Sequence, residues 1–198
     1  MNTFVIATNN PHKLEEIERI LSPLGISAIS QKQAGVTVDP VEDGNTFEAN
    51  ALIKAREVSK ATGMPSVADD SGLCVNALGG RPGIYSARYA GENATDEMKI
   101  AKLLEELKNC DDRSAYFVSA VCCYFSEDDW FCVRGECKGE IALAPGGNGG
   151  FGYDPVFKVD GLHKTYAELT GEEKDMCSHR GNALRKLREA LVKRFSAE

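Results

Sequence analysis

Thr3-Phe4-Val5-Ile6-Ala7-Thr8-Asn9-Asn10-Pro11-His12-Lys13-Leu14 changes its hydrophobic period partway along. Thr3 to Thr8 is rich in Val, Ile and Phe and reads as a short buried strand. Pro11 suits a first helical position and Asn10 its cap. Leu14, Ile17, Leu21 and Leu24 then form a helical stripe, with Glu15, Glu16, Glu18 and Arg19 facing water. A strand running directly into a helix brings the first-turn N–H groups to one corner, where they make a site for an anion.

Working outward, Ser27 to Ser30 reads as a second strand, and Val36 to Gly44 as a loop with an acidic end at Asp39, Glu42 and Asp43. Asn45 is expected to cap a second helix, with Glu48 completing a capping box and Phe47, Ala51, Ala55 and Val58 turned inward. The turn Gly63-Met64-Pro65 leads into a short strand, Ser66-Val67-Ala68, which is expected to end in Asp69-Asp70-Ser71-Gly72. Gly79 to Gly83 is a loop. Thr95 caps a third helix carrying Met98, Ile100, Leu103, Leu104 and Leu107. Two long strands, Ala115 to Phe125 and Phe131 to Leu143, flank a hairpin connection at Glu127-Asp128-Asp129. After a glycine-rich loop at 146–152, a final helix begins near Ser178 and buries Ala183, Leu184, Leu187, Leu191 and Phe195. This order predicts an α/β fold with a mixed, twisted sheet, in preference to a pure Rossmann unit.

A chain of 198 residues makes one domain, or one domain with two lobes, and buries about 70% of its surface without staples. The formal charge of −7 argues against a duplex nucleic-acid binder, and no basic-aromatic stripe suggests an RNA-associated protein. The N-terminal segment lacks a basic leader, and no apolar run is long enough to cross a bilayer. The expected address is therefore the cytoplasm, with no membrane partner. The cysteines number seven, several of them in strand-like text, and read as mostly reduced core residues. Neighbouring Cys122 and Cys123 would point to opposite faces of a strand.

Three clusters carry chemistry. Asp69-Asp70 ends an apolar strand, the usual place for ligands in α/β proteins. Adjacent carboxylates repel unless positive charge is near, and Mg²⁺ would answer that, with Glu42 as a further oxygen ligand. Alternatively, one carboxylate accepts a proton from an attacking water, or the segment is a solvated turn. Lys13 and the helix N-terminus can hold a phosphate chain, with Thr8, Asn9 and Asn10 at the same corner. The glycine loop is no P-loop, lacking GxxxxGK[ST]. Its Phe151 and Tyr153 offer aromatic faces and Asp154 an acceptor. Finally, Ser178-His179-Arg180 puts cations at the positive end of a helix, an unfavourable placement that an anionic ligand or a keto-bearing base would explain, with Lys174 joining them. His12 and His163 lack metal-ligand spacing and read alone as surface residues.

Six segments occur in order: Ala7-Thr8-Asn9-Asn10-x-x-Lys13; Thr46-Phe47-Glu48-Ala49-Asn50-Ala51-Leu52-Ile53-Lys54-Ala55; Ala68-Asp69-Asp70-Ser71-Gly72-Leu73; Leu78-Gly79-Gly80-x-Pro82-Gly83-Ile84-Tyr85-Ser86-Ala87-Arg88-Tyr89; Gly149-Gly150-Phe151-Gly152-Tyr153-Asp154-Pro155; and Ser178-His179-Arg180-Gly181. Together they resemble the inosine triphosphate pyrophosphatase family, the non-canonical purine NTP (dITP/XTP) pyrophosphatases, from Phe4 to about Leu191. The resemblance implies an elongated mixed sheet flanked by helices, in two lobes with a central cleft, and a homodimer. It assigns Thr8, Asn9, Asn10, Pro11, His12 and Lys13 to the triphosphate, Glu42 and Asp70 to Mg²⁺, Asp70 also to proton acceptance, and Asp69 to its acidic partner. Ser71 becomes a substrate contact. Phe151, Gly152, Tyr153, Asp154, Lys174, His179 and Arg180 become nucleotide-recognition residues. Asn9 stands where many members have glycine, and Ala49 where an acidic residue is common; activity is expected to survive both.

The implied reaction is NTP + H₂O → NMP + pyrophosphate on ITP, dITP and XTP, with the purine 6-keto oxygen read by Arg180 or His179. A pyrophosphatase for modified pyrimidine or methylated nucleotides, and a nucleotide sensor without turnover, are the alternatives. Intact Asp69, Asp70 and Glu42 speak against the sensor.

Overall fold

In the computed structural model, which describes residues 3–8 and 10–196 apart from the side chain of His12, the opening passage folds as read: strand β1 (Thr3–Ile6) leads into helix α1 (Pro11–Leu21). Asn9 and the His12 side chain, both assigned above to the triphosphate, lie outside the described residues. Asn10 Oδ1 accepts the Lys13 N–H at 3.4 Å, a helix cap, and Thr8 Oγ1 accepts the Asn10 N–H at 3.1 Å. Strand β2 is Ser27–Ser30, helix α2 Phe47–Thr62, strand β3 Ser66–Val75, helix α3 Asp96–Glu106, strands β4 and β5 Ser114–Ser126 and Asp129–Ile141, strand β6 Phe157–Val159, and helices α4 and α5 Gly171–Cys177 and His179–Ser196. The strands form one mixed sheet in the order β2-β1-β3-β4-β5-β6. β1 lies parallel to β2 (Thr3 opposite Ser27) and to β3 (Val5 opposite Ser66), while β5 and β6 are antiparallel.

The chain divides into two compact units. The first takes in Met1–Asp70, Ser119–Gly135 and Arg180–Glu198. Its strands alternate between two cores, as the two-residue period of a strand requires. Phe4, Ile6, Val67, Val121 and Cys123 pack with Ile17 and Leu21 of α1 and Leu184, Leu187 and Leu191 of α5. Val5, Ala7, Ala68, Cys122 and Tyr124 pack with Ala51, Ala55 and Val58 of α2. Small residues there let α2 approach the sheet closely. Leu187 is fully buried, so Leu187→Ala should cost about 2–5 kcal/mol. A thermal melt should show that as a loss of roughly 4–20 °C in Tm.

The second unit, Ser71–Val118 and Glu136–His179, gathers Leu73, Val75, Leu103, Leu107, Phe117, Ile141, Tyr153, Phe157 and Tyr166 into one core. Arg113 fastens its edges, donating to the carbonyl oxygens of Leu107, Ile141 and Ala142.

Several expectations need correction. β3 does not end at Asp69; it runs on through Asp70-Ser71-Gly72 into the buried Leu73-Cys74-Val75. Thr46, not Asn45, caps α2 by accepting the Ala49 N–H, and Glu48 pairs instead with Arg134 at 2.9 Å. Met98 is exposed, off the inward stripe of α3. Cys122 and Cys123 do face opposite cores, but Cys122 is joined to Cys132 as a disulfide across the β4–β5 hairpin. Cys74, Cys110, Cys123, Cys137 and Cys177 are not disulfide-bonded.

Candidate active site

Alternation along β3 sends its two aspartates to different faces. Asp69 follows Val67 toward α1 and α5, and Asp70 follows Ala68 toward α2. The repulsion expected between adjacent carboxylates is thus relieved first by direction, then by separate sets of cations.

Asp69 is buried, and its carboxylate meets Lys13 Nζ at 2.8 Å and Arg180 Nε at 3.2 Å. Arg180, also buried, reaches Glu16 Oε2 at 2.5 Å through Nη1. Glu16 therefore does not face water as its place on the helix suggested. Burial opposes the charged form of Asp69, but Lys13, Arg180 and Lys54 outweigh it and hold its carboxyl well below the ordinary range. Burial pulls the Lys13 ammonium down, against the raising effect of Asp69. For Arg180, burial is outweighed by Asp69 and Glu16, so the guanidinium stays charged. The cation at the start of α5, unfavourable by its dipole alone, is thus matched by two carboxylates of its own unit.

Asp70 has a different set of neighbours. Its Oδ1 accepts from Lys54 Nζ at 3.1 Å, and its Oδ2 lies 3.4 Å from Asn50 Nδ2. Lys54 Nζ also meets Glu42 Oε2 at 3.1 Å. Asn50 and Lys54 stand one turn apart on α2, so they reach the same face. Asn50 Oδ1 accepts the Gly44 N–H at 2.9 Å, pinning the acidic loop that carries Glu42. A Cβ on Gly44 would come within 2.6 Å of that oxygen, so only glycine fits. Burial raises the Asp70 pKa, Glu42 adds to the rise, and Lys54 and Lys13 oppose it. For Lys54, burial is overcome by Asp70, Asp69 and Glu42, so it remains an ammonium.

Two carboxylates converging on one ammonium mark a point where positive charge is held. Both donors are hard oxygens, the kind magnesium prefers, and magnesium commonly takes one or two carboxylates with water and substrate phosphates. Among the described residues, no group of three or more His, Cys, Asp or Glu side chains forms an all-protein cage. Glu42 and Asp70 thus fit magnesium in its partly hydrated, phosphate-sharing mode.

The second unit places a polar group beside an aromatic ring. Asp154 is buried, and its Oδ2 accepts from Lys174 Nζ at 2.6 Å and from the Phe151 N–H at 2.9 Å. The Lys174 ammonium lies 4.8 Å from the centre of the half-buried Phe151 ring, a cation–π distance. Tyr153 is buried in the core and donates its hydroxyl to Ser86 O at 2.9 Å, so it anchors the loop. The buried His179 ring stacks on Phe117 at 4.6 Å, with planes 13° apart. Ser71 is half-buried in β3, and His163 is exposed.

The structure therefore brings together Lys13, Asp69 and Arg180, then Glu42 and Asp70, then Phe151, Asp154 and Lys174. Sequence reasoning gave no role to Asn50, Lys54 or Glu16, although the spacing of Asn50 and Lys54 on one helical face was available as a signal.

A family model described as the Ham1 family matches residues 4–190. The chain is 49% identical to the dITP/XTP pyrophosphatase of Nitrosomonas europaea, over 96% of this chain and 95% of that one. It is 46% identical to the dITP/XTP pyrophosphatase of Bacillus subtilis, over 96% and 98%. Among solved structures, the HAM1 protein from Coxiella burnetii superposes with a TM-score of 0.92 at 44% identity, over 98% of this chain and all of that one. The Ham1 protein of Staphylococcus aureus gives a TM-score of 0.90 at 42% identity, over the same shares.

Proposed function

The chain belongs to the Ham1 family, and on that premise we propose that it is a nucleoside-triphosphate pyrophosphatase that converts non-canonical purine nucleotides, ITP, dITP and XTP, to the monophosphate and pyrophosphate. The observation that carries this is the convergence of Glu42 and Asp70 on one cationic point, fixed by Lys54 and Asn50 from α2.

Glu42 and Asp70 would hold magnesium, which when bound supplies neutralisation of charge on the phosphate oxygens. Asp70, its pKa raised by burial, accepts a proton from the water that attacks the α-phosphorus. The bond between the α-phosphorus and the bridging oxygen breaks, and that oxygen leaves with the pyrophosphate. The Lys13 ammonium, at the positive end of α1, receives the departing charge. Asp69 contributes by fixing Lys13 and Arg180. Thr8 and Asn10 complete the phosphate contacts, and Ser71 is a further substrate contact.

Phe151, Asp154 and Lys174 hold the base. The family resemblance assigns the donor to the purine 6-keto oxygen to the His179-Arg180 segment, whose side chains Phe117, Asp69 and Glu16 hold in place. Adenine carries an amino group there and would leave that donor unpaired, at about 1–3 kcal/mol. Magnesium as cofactor, a homodimer as assembly, a single domain over residues 1–198 and the cytoplasm as compartment belong to this proposal, with no nucleic acid or membrane involved.

The test is pyrophosphate release with Mg²⁺ from equal concentrations of ITP, dITP, XTP, GTP, ATP, CTP and UTP. Rapid turnover of ITP and XTP with little from ATP is the expected result. A pyrimidine preference would move the function to modified pyrimidine nucleotides, and binding without turnover would leave a sensor.

A further inference from the structure

The glycine-rich loop at 146–154 is held in shape from several elements, Tyr153 and Lys174 among its anchors. Gly147, Gly150 and Gly152 adopt positive φ of 82°, 75° and 63°, and glycine loses the most backbone freedom on ordering. Gly149 N–H donates to Ala167 O at 3.0 Å and Phe151 N–H to Asp154 within the loop. The Gly152 N–H, between the two residues assigned to the base, is taken by a carboxylate from a separate element. Asp96 Oδ2, in the first turn of α3, accepts it at 2.6 Å. The other oxygen of Asp96 is held by Lys99 Nζ, also at 2.6 Å. A carboxylate clamped in this way makes a charge-assisted bond, shorter and about twice as strong as a neutral one.

A purely helical role for Asp96 is already filled. Thr95 caps α3, its side chain accepting the Met98 N–H. Lys99 and Gly152 together hold the Asp96 carboxyl below its ordinary range, against a contrary effect of burial.

We propose that Asp96 is a positioning residue for purine recognition: by holding the Gly152 N–H from α3, it fixes Phe151 and Asp154 where the base is read. It rests on the function proposed above, with Phe151 and Asp154 as base contacts. Because Asp96 acts only through that loop, its effect falls on binding of the nucleoside part, not on the phosphate chemistry.

The test compares wild type with Asp96→Ala and Asp96→Asn, measuring kcat and KM for ITP and calorimetric affinities for IMP and inorganic pyrophosphate. Asp96→Ala is expected to raise KM and weaken IMP about tenfold or more, with kcat and pyrophosphate affinity within about twofold. Asp96→Asn should recover most of the loss, since its amide oxygen still accepts the Gly152 N–H. An unchanged KM in Asp96→Ala, or pyrophosphate binding weakened as much as IMP binding, overturns the proposal. Failure of the wild type to turn over ITP or bind IMP would strike the function itself. Should Asp96→Ala not fold, Lys99→Met decides: a KM raised about two- to fivefold is expected of it, and a flat value overturns the proposal.

Discussion

Asp70→Asn should release pyrophosphate from ITP roughly 10²–10⁴-fold more slowly than the wild type, the usual range for losing a positioned proton acceptor. The amide keeps the shape of the carboxyl but accepts no proton and holds a metal weakly. The fold should hardly notice. Burial already raises the pKa of Asp70, Lys54 keeps Glu42 as a partner, and the single amide oxygen can still accept from Lys54 or from Asn50. The expected signature is a large fall in kcat with Tm close to wild type. Activity within tenfold of wild type would place the proton acceptor elsewhere.

Asp69→Asn should behave in the opposite manner, losing stability first. Without its charge, Lys13 and Arg180 are left facing each other on the buried side of β3, with Glu16 the carboxylate left on Arg180. Breaking a buried ion pair by removing one partner costs about 3–5 kcal/mol. For a chain of this size that is a loss of roughly 6–20 °C in Tm. The sign with pH follows from the depressed pKa of Asp69. The folded state holds this proton less readily than the unfolded state, so the stabilisation is complete above the unfolded carboxylate value near 4 and is lost as pH falls below it. The stability gap between wild type and Asp69→Asn should therefore narrow as pH is lowered from 6 to 3. A gap that stays constant over that range would show that Asp69 is not the titrating group.

Much of this architecture is legible locally. The passage from β1 into α1, the inward face of α2 and the stripe of α5 are each set by spacing within a few turns. The misread places share a physical cause. Asp69-Asp70-Ser71-Gly72 carries turn chemistry, and nothing nearby in sequence neutralises it. In the fold, Lys13, Arg180 and Lys54 do so, and the strand continues. Arg180 is 111 residues from Asp69 and 164 from Glu16, so no local pattern could foretell that its charge is matched within the protein. The cap of α2 was missed by one residue because Asn45 and Thr46 are both good caps, and only the accepted Ala49 N–H distinguishes them. The pairing of Cys122 with Cys132 depends on hairpin register, which composition does not reveal. Of the site, the acidic pair, Lys13 and the Phe151–Asp154 segment were readable as chemistry. The supporting Asn50 and Lys54 needed a helix with a known face.

The alternation of β3 also bears on how far the two acidic positions can drift. A single residue inserted or deleted just ahead of Asp69 would turn each of the pair to the opposite face of the strand. Asp69 would lose Lys13 and Arg180 and turn toward α2, while Asp70 would turn toward the face of α1 and α5. The strand thus separates the contacts of two carboxylates one peptide apart, although the cations of each face still act on both. Length here is constrained as tightly as residue identity, and a conservative-looking indel should be more damaging than most substitutions.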